Sequence, residues 1–146
     1  MKHQFSISDK MSDIAQGIES LVREAAFFVE AQGEDAFPMF RTEGRFLYGD
    51  IYVFVWIVKG KRIIRLVFPP DNMGEDIEIT NMTDARDTNI TEMIMKIAYS
   101  RKGEGWSEPY LWKRPGESID SEKVSFIKSV THKGKTYVVG AGYYLD

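Results

Sequence analysis

The sequence contains no cysteine. Disulfide staples, thiolate zinc sites and cysteine nucleophiles are thereby excluded, while the redox compartment stays open. Histidine is nearly as scarce: His3 and His132 are the only two, which leaves little from which to build an imidazole metal cage or a serine–histidine relay. Gly-x-Ser-x-Gly and the Walker lysine motif are missing, and Gly103-Glu-Gly105 lacks the third glycine and the following helix of a dinucleotide site. A carboxylate pair among the many Asp and Glu stays open, because spacing in sequence says little about spacing in a fold. Positive charge is not in excess either. Nineteen Lys and Arg face 22 Asp and Glu, for a net charge of -3, and no basic stripe is interleaved with stacking aromatics, so nucleic acid is not an expected partner. No run approaches the ~18 apolar residues of a membrane span, and residues 1–12 lack the continuous apolar core of a signal peptide. No membrane insertion is expected of this chain.

What is present suits one domain spanning residues 1–146. At 43% hydrophobic content, a chain of 146 residues suits one globular domain with a sizeable core and leaves no room for a second domain. The stretch Gly49-Asp-Ile-Tyr-Val-Phe-Val-Trp-Ile-Val-Lys-Gly60 is too short for a mature helix and is bounded by glycines. Tyr52, Phe54 and Trp56 alternate with Ile51, Val53, Val55 and Ile57, so the spacing predicts a central strand that is apolar on both faces and needs a cover on each. One cover is a long helix over about residues 8–33. Met11, Ile14, Ile18, Leu21, Val22, Ala25, Phe28 and Val29 recur at helical spacing, and Gly33 is the expected stop. Packing on the domain's own sheet is favoured over a dimer seam for this stripe. Phe37, Pro38 and Phe40 then mark a short helical turn or a loop.

The order of the remaining signals fixes the fold class. Lys59-Gly60-Lys61 predicts a tight turn into an antiparallel partner, Ile63 to Phe68, ended by Pro69-Pro70. Residues 71–87 are polar and acidic without the alternating oxygen ligands of an EF-hand, so they read as a solvated loop and no metal is expected. Asn89 with Glu92 offers a cap for a helix from about Ile90 to Ser100, with Ile90, Met93, Ile94, Ile97 and Ala98 on one face. Three strands follow, at about 105–113, 122–130 and 136–144. Alternation puts Trp106, Tyr110 and Trp112 on one face of the first, and sets Lys123, Ser125 and Ile127 against Val124, Phe126 and Val130 in the second. In the last, Gly140 and Gly142 remove side chains in mid-strand, with close seating of the long helix favoured over room for a ligand. The expectation is an α+β domain: a long N-terminal helix packed on a five-stranded antiparallel sheet (about 46–146), with a helical loop region covering the other face.

The following segments also occur together, in order and spacing: Gln32-Gly33-Glu34-Asp35-Ala36-Phe37, Gly49-Asp50-Ile51-Tyr52-Val53-Phe54-Val55 with Gly60, Gly103-Glu104-Gly105-Trp106, Tyr110-Leu111-Trp112, Pro115, Lys123-Val124-Ser125-Phe126 and Gly140-Ala141-Gly142-Tyr143-Tyr144. As an ordered set they resemble the single Cache domain, the PAS-like extracytoplasmic sensor module of chemoreceptors and sensor kinases, from about Leu21 to Tyr144. Three positions depart from the family pattern. An acidic residue is common where Ile57 stands, a His-Pro pair follows the second strand where this chain has Leu66-Val67 or Pro69-Pro70, and the Asp-x-x-Gly opening the pocket-side helix appears as Asp84-Ala-Arg-Asp87. The resemblance implies a small-molecule sensing domain held outside the cytoplasmic membrane (periplasmic) and feeding chemotaxis or signal transduction, with small organic acids among the family's ligands. The departures leave the ligand's identity open.

A ligand-binding site built on these residues has Tyr52, Phe54, Trp56, Tyr110 and Trp112 as walls and Arg65 or Lys123 as the cation for a carboxylate. Plain core is an equally good account of the aromatics, and an exposed strand face the favoured account of Arg65. No catalytic residues, metal or cofactor are expected. The partner is a small molecule, preferably a carboxylate, and the chain itself a monomer or weak homodimer. Two other classes stay open: a cytosolic PAS-like domain holding a larger cofactor, and a structural or interaction module whose core is full.

Overall fold

The apolar stripe of the N-terminal third forms α1 (Ile7–Gln32) in a computed structural model that describes residues 7–145. Ile18, Leu21, Val22, Ala25, Ala26 and Val29 are buried along it, with the Ile, Leu and Val side chains each contributing roughly 1.5–3 kcal/mol. Ile14 departs from the expected stripe and is exposed. The side chain of Met11, like residues 1–6, lies outside the described residues. Gly33 ends the helix with φ +59°, and the ring of His132, whose Nδ1 lies 2.8 Å from the Glu30 carbonyl, fills the place a side chain would need. A 3-10 turn (Gly33–Ala36) and the short α2 (Phe37–Phe40) follow, setting Phe37 and Phe40 into the core.

The expected central strand is divided. Gly49, at φ +57°, closes a two-residue ribbon of β1 (Leu47–Tyr48) and β2 (Ile51–Tyr52), and the large sheet takes over at β3 (Phe54–Lys59). A two-residue turn with Gly60 in the left-handed region leads to β4 (Arg62–Val67), the predicted antiparallel hairpin. The acidic stretch holds a 3-10 turn (Asn72–Gly74) and β5 (Ile77–Glu78), and α3 (Ile90–Ala98) starts where Asn89 accepts the Glu92 N–H. β6 (Glu104–Trp106), β7 (Tyr110–Lys113), β8 (Asp120–His132) and β9 (Lys135–Tyr144) complete the chain. The sheet runs β5-β4-β3-β9-β8-β6, with β7 also on β8, and every pairing is antiparallel.

Among the described residues this large sheet has seven strands, two more than expected. β5 adds two residues to an edge, and the predicted strand at 105–113 is split at Ser107-Glu108-Pro109. There the Ser107 N–H donates to the Ser125 carbonyl while the Ser125 N–H donates to Ser107 Oγ, so a side chain substitutes for one ladder bond beside a proline that has none to give. The interruption breaks the alternation. Trp106 therefore lies on the α1 side against Phe126, donating from Nε1 to Glu19, whereas Tyr110 and Trp112 face the other way.

Two cores result. Val53, Val55, Ile57, Phe126, Val130 and Val139 pack under α1, and Tyr52, Phe54, Trp56, Ile127 and Val138 pack under α3. Ile57, the position where the family favours an acidic residue, thus faces the helix. The two β9 glycines do not seat α1, contrary to the sequence expectation. They point to the opposite face, where a Cβ at Gly140 would lie inside the ring of Phe54 and one at Gly142 would meet the Val124 carbonyl.

Candidate functional site

Between the sheet and α3 the molecule leaves a small cavity, and all seven residues singled out from the sequence line it: Tyr52, Phe54, Trp56, Arg65, Tyr110, Trp112 and Lys123. Period-two alternation aims Phe54 and Trp56 inward from β3, and Tyr110 and Trp112 inward from β7. Helical i, i+4 spacing aims Ile90 and Ile94 at them from α3. Phe68 and Met82, both on irregular segments with no periodicity to announce them, complete the wall. The centre of a water-sized sphere can move over about 20 Å³ inside, a little more than one water requires.

Lys123 is the unusual member. It is 1% exposed, and Nζ donates to Tyr52 Oη at 3.1 Å while facing the rings of Tyr52, Phe54 and Tyr144 at 4.3, 5.7 and 5.4 Å. Among the described residues no carboxylate pairs with it, and burial pushes its ammonium down to about 7. Ring faces offset part of the cost of burying the charge, since a cation over an aromatic is attracted to its quadrupole. Tyr144 went unremarked as a site residue because it reaches Lys123 only through the β8–β9 register, in which the two are directly paired.

The other polar groups hold the walls in place. Trp112 Nε1 donates to the same Tyr52 oxygen at 2.9 Å, so that hydroxyl accepts from two sides, and the Tyr110 and Ser125 hydroxyls pair at 2.7 Å. Burial raises the titration of the Tyr52 and Tyr110 hydroxyls and pushes Tyr144 up to about 12, which keeps all three neutral. Arg65, expected on an exposed face, is half-buried instead. Its Nε donates to the Gly74 carbonyl at 2.7 Å, Nη1 reaches only Met82 Sδ at 3.9 Å, and the guanidinium lies over Phe68 at 4.2 Å. The loop beside the cavity is pinned by Asp84, whose Oδ1 accepts the Arg86 and Thr88 N–H groups and whose Oδ2 accepts the Leu111 N–H. Asp87, standing where the resemblance expects glycine, adopts the left-handed backbone that glycine takes without strain, with φ +62°.

A family model for the Cache domain matches residues 5–146. The fold is similar to a periplasmic sensor domain of a chemotaxis protein, 21% identical with a TM-score of 0.66 over 94% of each chain. It is also similar to a Cache chemosensory domain described for its carboxylic acid recognition, 20% identical with a TM-score of 0.73 over 97% of this chain and 100% of that one. A methyl-accepting chemotaxis protein from Vibrio parahaemolyticus RIMD 2210633 matches with a TM-score of 0.74 at 11% identity, over 95% of this chain and 93% of that one. No curated protein matches the chain significantly.

Proposed function

The chain belongs to the Cache domain family, and from that premise we propose that it is an extracytoplasmic sensing domain whose cavity takes up a small organic acid and feeds chemotaxis or signal transduction. The observation that carries this reading is the ammonium of Lys123, enclosed on a cavity wall with no carboxylate beside it among the described residues. A buried charge left without a counterion costs several kcal/mol, so the site is poised for a ligand that brings the missing anion and spreads its apolar part over the surrounding rings. Lys123 and Arg65 bring cationic donors to the lining and no carboxylate is among the lining residues, which favours a ligand of acceptors over an amine. A flavin or haem is far larger than the space between the sheet and α3, which works against the larger-cofactor alternative. Binding with no catalytic step is the role these groups support.

A thermal-shift screen of acetate, propionate, lactate, pyruvate, amino acids and amines tests this, followed by titration of the best hit against the wild type and Lys123→Met. Methionine keeps much of the stem volume and removes the cation, so acid affinity should fall by at least about tenfold, the equivalent of one charge-assisted hydrogen bond. Tight binding of an uncharged or cationic compound, or unchanged acid affinity in the variant, rejects the acid site. No stabilisation by any compound favours a filled core.

A further inference from the structure

Most of the cavity wall is backed by core, and only Arg65, Phe68, Met82 and Trp112 of its lining are half-buried. Two of these four, Phe68 and Trp112, also line a second, outer groove of about 550 Å³ between Pro70–Asp71 and the turn that follows β7. Their rings meet edge to face with centroids 6.0 Å apart. Phe68 and Trp112 are thus shared between the inner cavity and the groove, and trimming either ring would open one toward the other.

The two halves of that wall are held differently. Trp112 is tied by its indole N–H to Tyr52, and the neighbouring Arg65 by its Nε to the Gly74 carbonyl. The Phe68 side chain is held by ring contacts alone, to Tyr52 at 5.7 Å, to Trp112, and to the guanidinium of Arg65. β4 has ended one residue earlier and Pro69 follows, so the Phe68 backbone is outside the ladder, with its N–H on the Glu75 carboxylate.

We propose that Phe68 is the specificity-determining residue of this site: its ring sets the largest ligand the inner cavity accepts, and trimming it joins the cavity to the groove so that longer chains fit. The inference rests on the reading of the cavity as a small-acid site but acts through size alone. Straight-chain acids from acetate to hexanoate, and the primary alcohols of the same lengths, are titrated against the wild type, Phe68→Ala and Phe68→Leu, with circular dichroism confirming that each is folded. The wild type should favour short chains. Phe68→Ala should tighten hexanoate relative to acetate by about tenfold or more, the scale on which a pocket discriminates methylenes, with Phe68→Leu in between and the alcohols showing the same shift. An unchanged chain-length profile in folded Phe68→Ala overturns the inference and leaves the acid site standing. Failure of every acid to bind, with the alcohols still showing the shift, overturns the acid reading and upholds the role of Phe68. Binding of neither series to any of the three proteins overturns both.

Discussion

Alternation along β8 sets Lys123 on one face with Ser125 and Ile127, without saying which face carries the cavity. Period two was enough to place it and the ring residues Tyr52, Phe54 and Trp56, because side-chain direction along a strand is a local property. Its counterpart Tyr144 was not legible, since that contact exists only once β8 and β9 are in register. The titration of this lysine yields two predictions. In the folded chain the ammonium titrates near 7, against an ordinary value of 10.5. Between these values the unfolded chain holds more protons, so stability should rise with pH from about 7 to about 10.5, with the full penalty present below 7. Urea denaturation at several pH values should show this rise in the wild type and lose it in Lys123→Met; equal slopes would contradict the burial of the charge. Acid binding runs the other way. The ligand selects protonated lysine, so affinity should fall toward tenfold per unit above about pH 7, and calorimetry in buffers of different ionisation enthalpy should register proton uptake there.

At the scale of elements, β9 shows how an ambiguous sequence signal resolves. Mid-strand glycines announce a close approach without saying of what, and here the approach is by a cavity wall. Gly140→Ala would drive a methyl into the space of the Phe54 ring and against Ile127 Cδ1 at 2.8 Å. Overpacking of this kind costs roughly 1–3 kcal/mol. The displaced ring has only the cavity to move into, so the variant should melt earlier and also lose ligand binding; a melt shift with affinity intact would place the ring elsewhere. Asp87 makes the opposite case. It holds φ +62° at a family glycine position and its side chain is exposed, so Asp87→Gly should stabilise by up to about 1 kcal/mol by relieving left-handed strain, read as a higher urea midpoint. The misplaced face of Trp106 is instructive in the same way. Alternation counts residues through Ser107-Glu108-Pro109 as if the strand were continuous, and a side-chain-for-backbone exchange is invisible in a pattern of polarity.

For the molecule as a whole, the layers and the order of elements along the chain followed from the sequence because each long amphipathic segment had one apolar face to bury, whereas the order of strands within the sheet and the two-residue strands carried no such signal. The same segments bear on assembly. Among the described side chains of α1, the exposed large apolar ones, Ile14 and Phe27, are thirteen positions apart, which at about 100° per residue sets them some 140° apart around the axis. They cannot share a seam. The isolated chain should therefore sediment as a monomer or a weak, concentration-dependent dimer, and a tight dimer that persists on dilution would require a contact surface other than these two side chains.

The rung that pairs Lys123 with Tyr144 also has a mechanical meaning. Tyr144 is the last residue of β9, its ring covers the ammonium, and its hydroxyl donates to the Lys113 carbonyl across the neighbouring strand. A force applied at that end of β9, across the strand direction, would peel the sheet one rung at a time, releasing the Leu145 N–H from the Glu122 carbonyl and then this rung. The opening of that rung would hydrate a charge the fold keeps dry. An anion bound as proposed and tension on β9 would thus act on the same rung, one tightening it and the other prising it open.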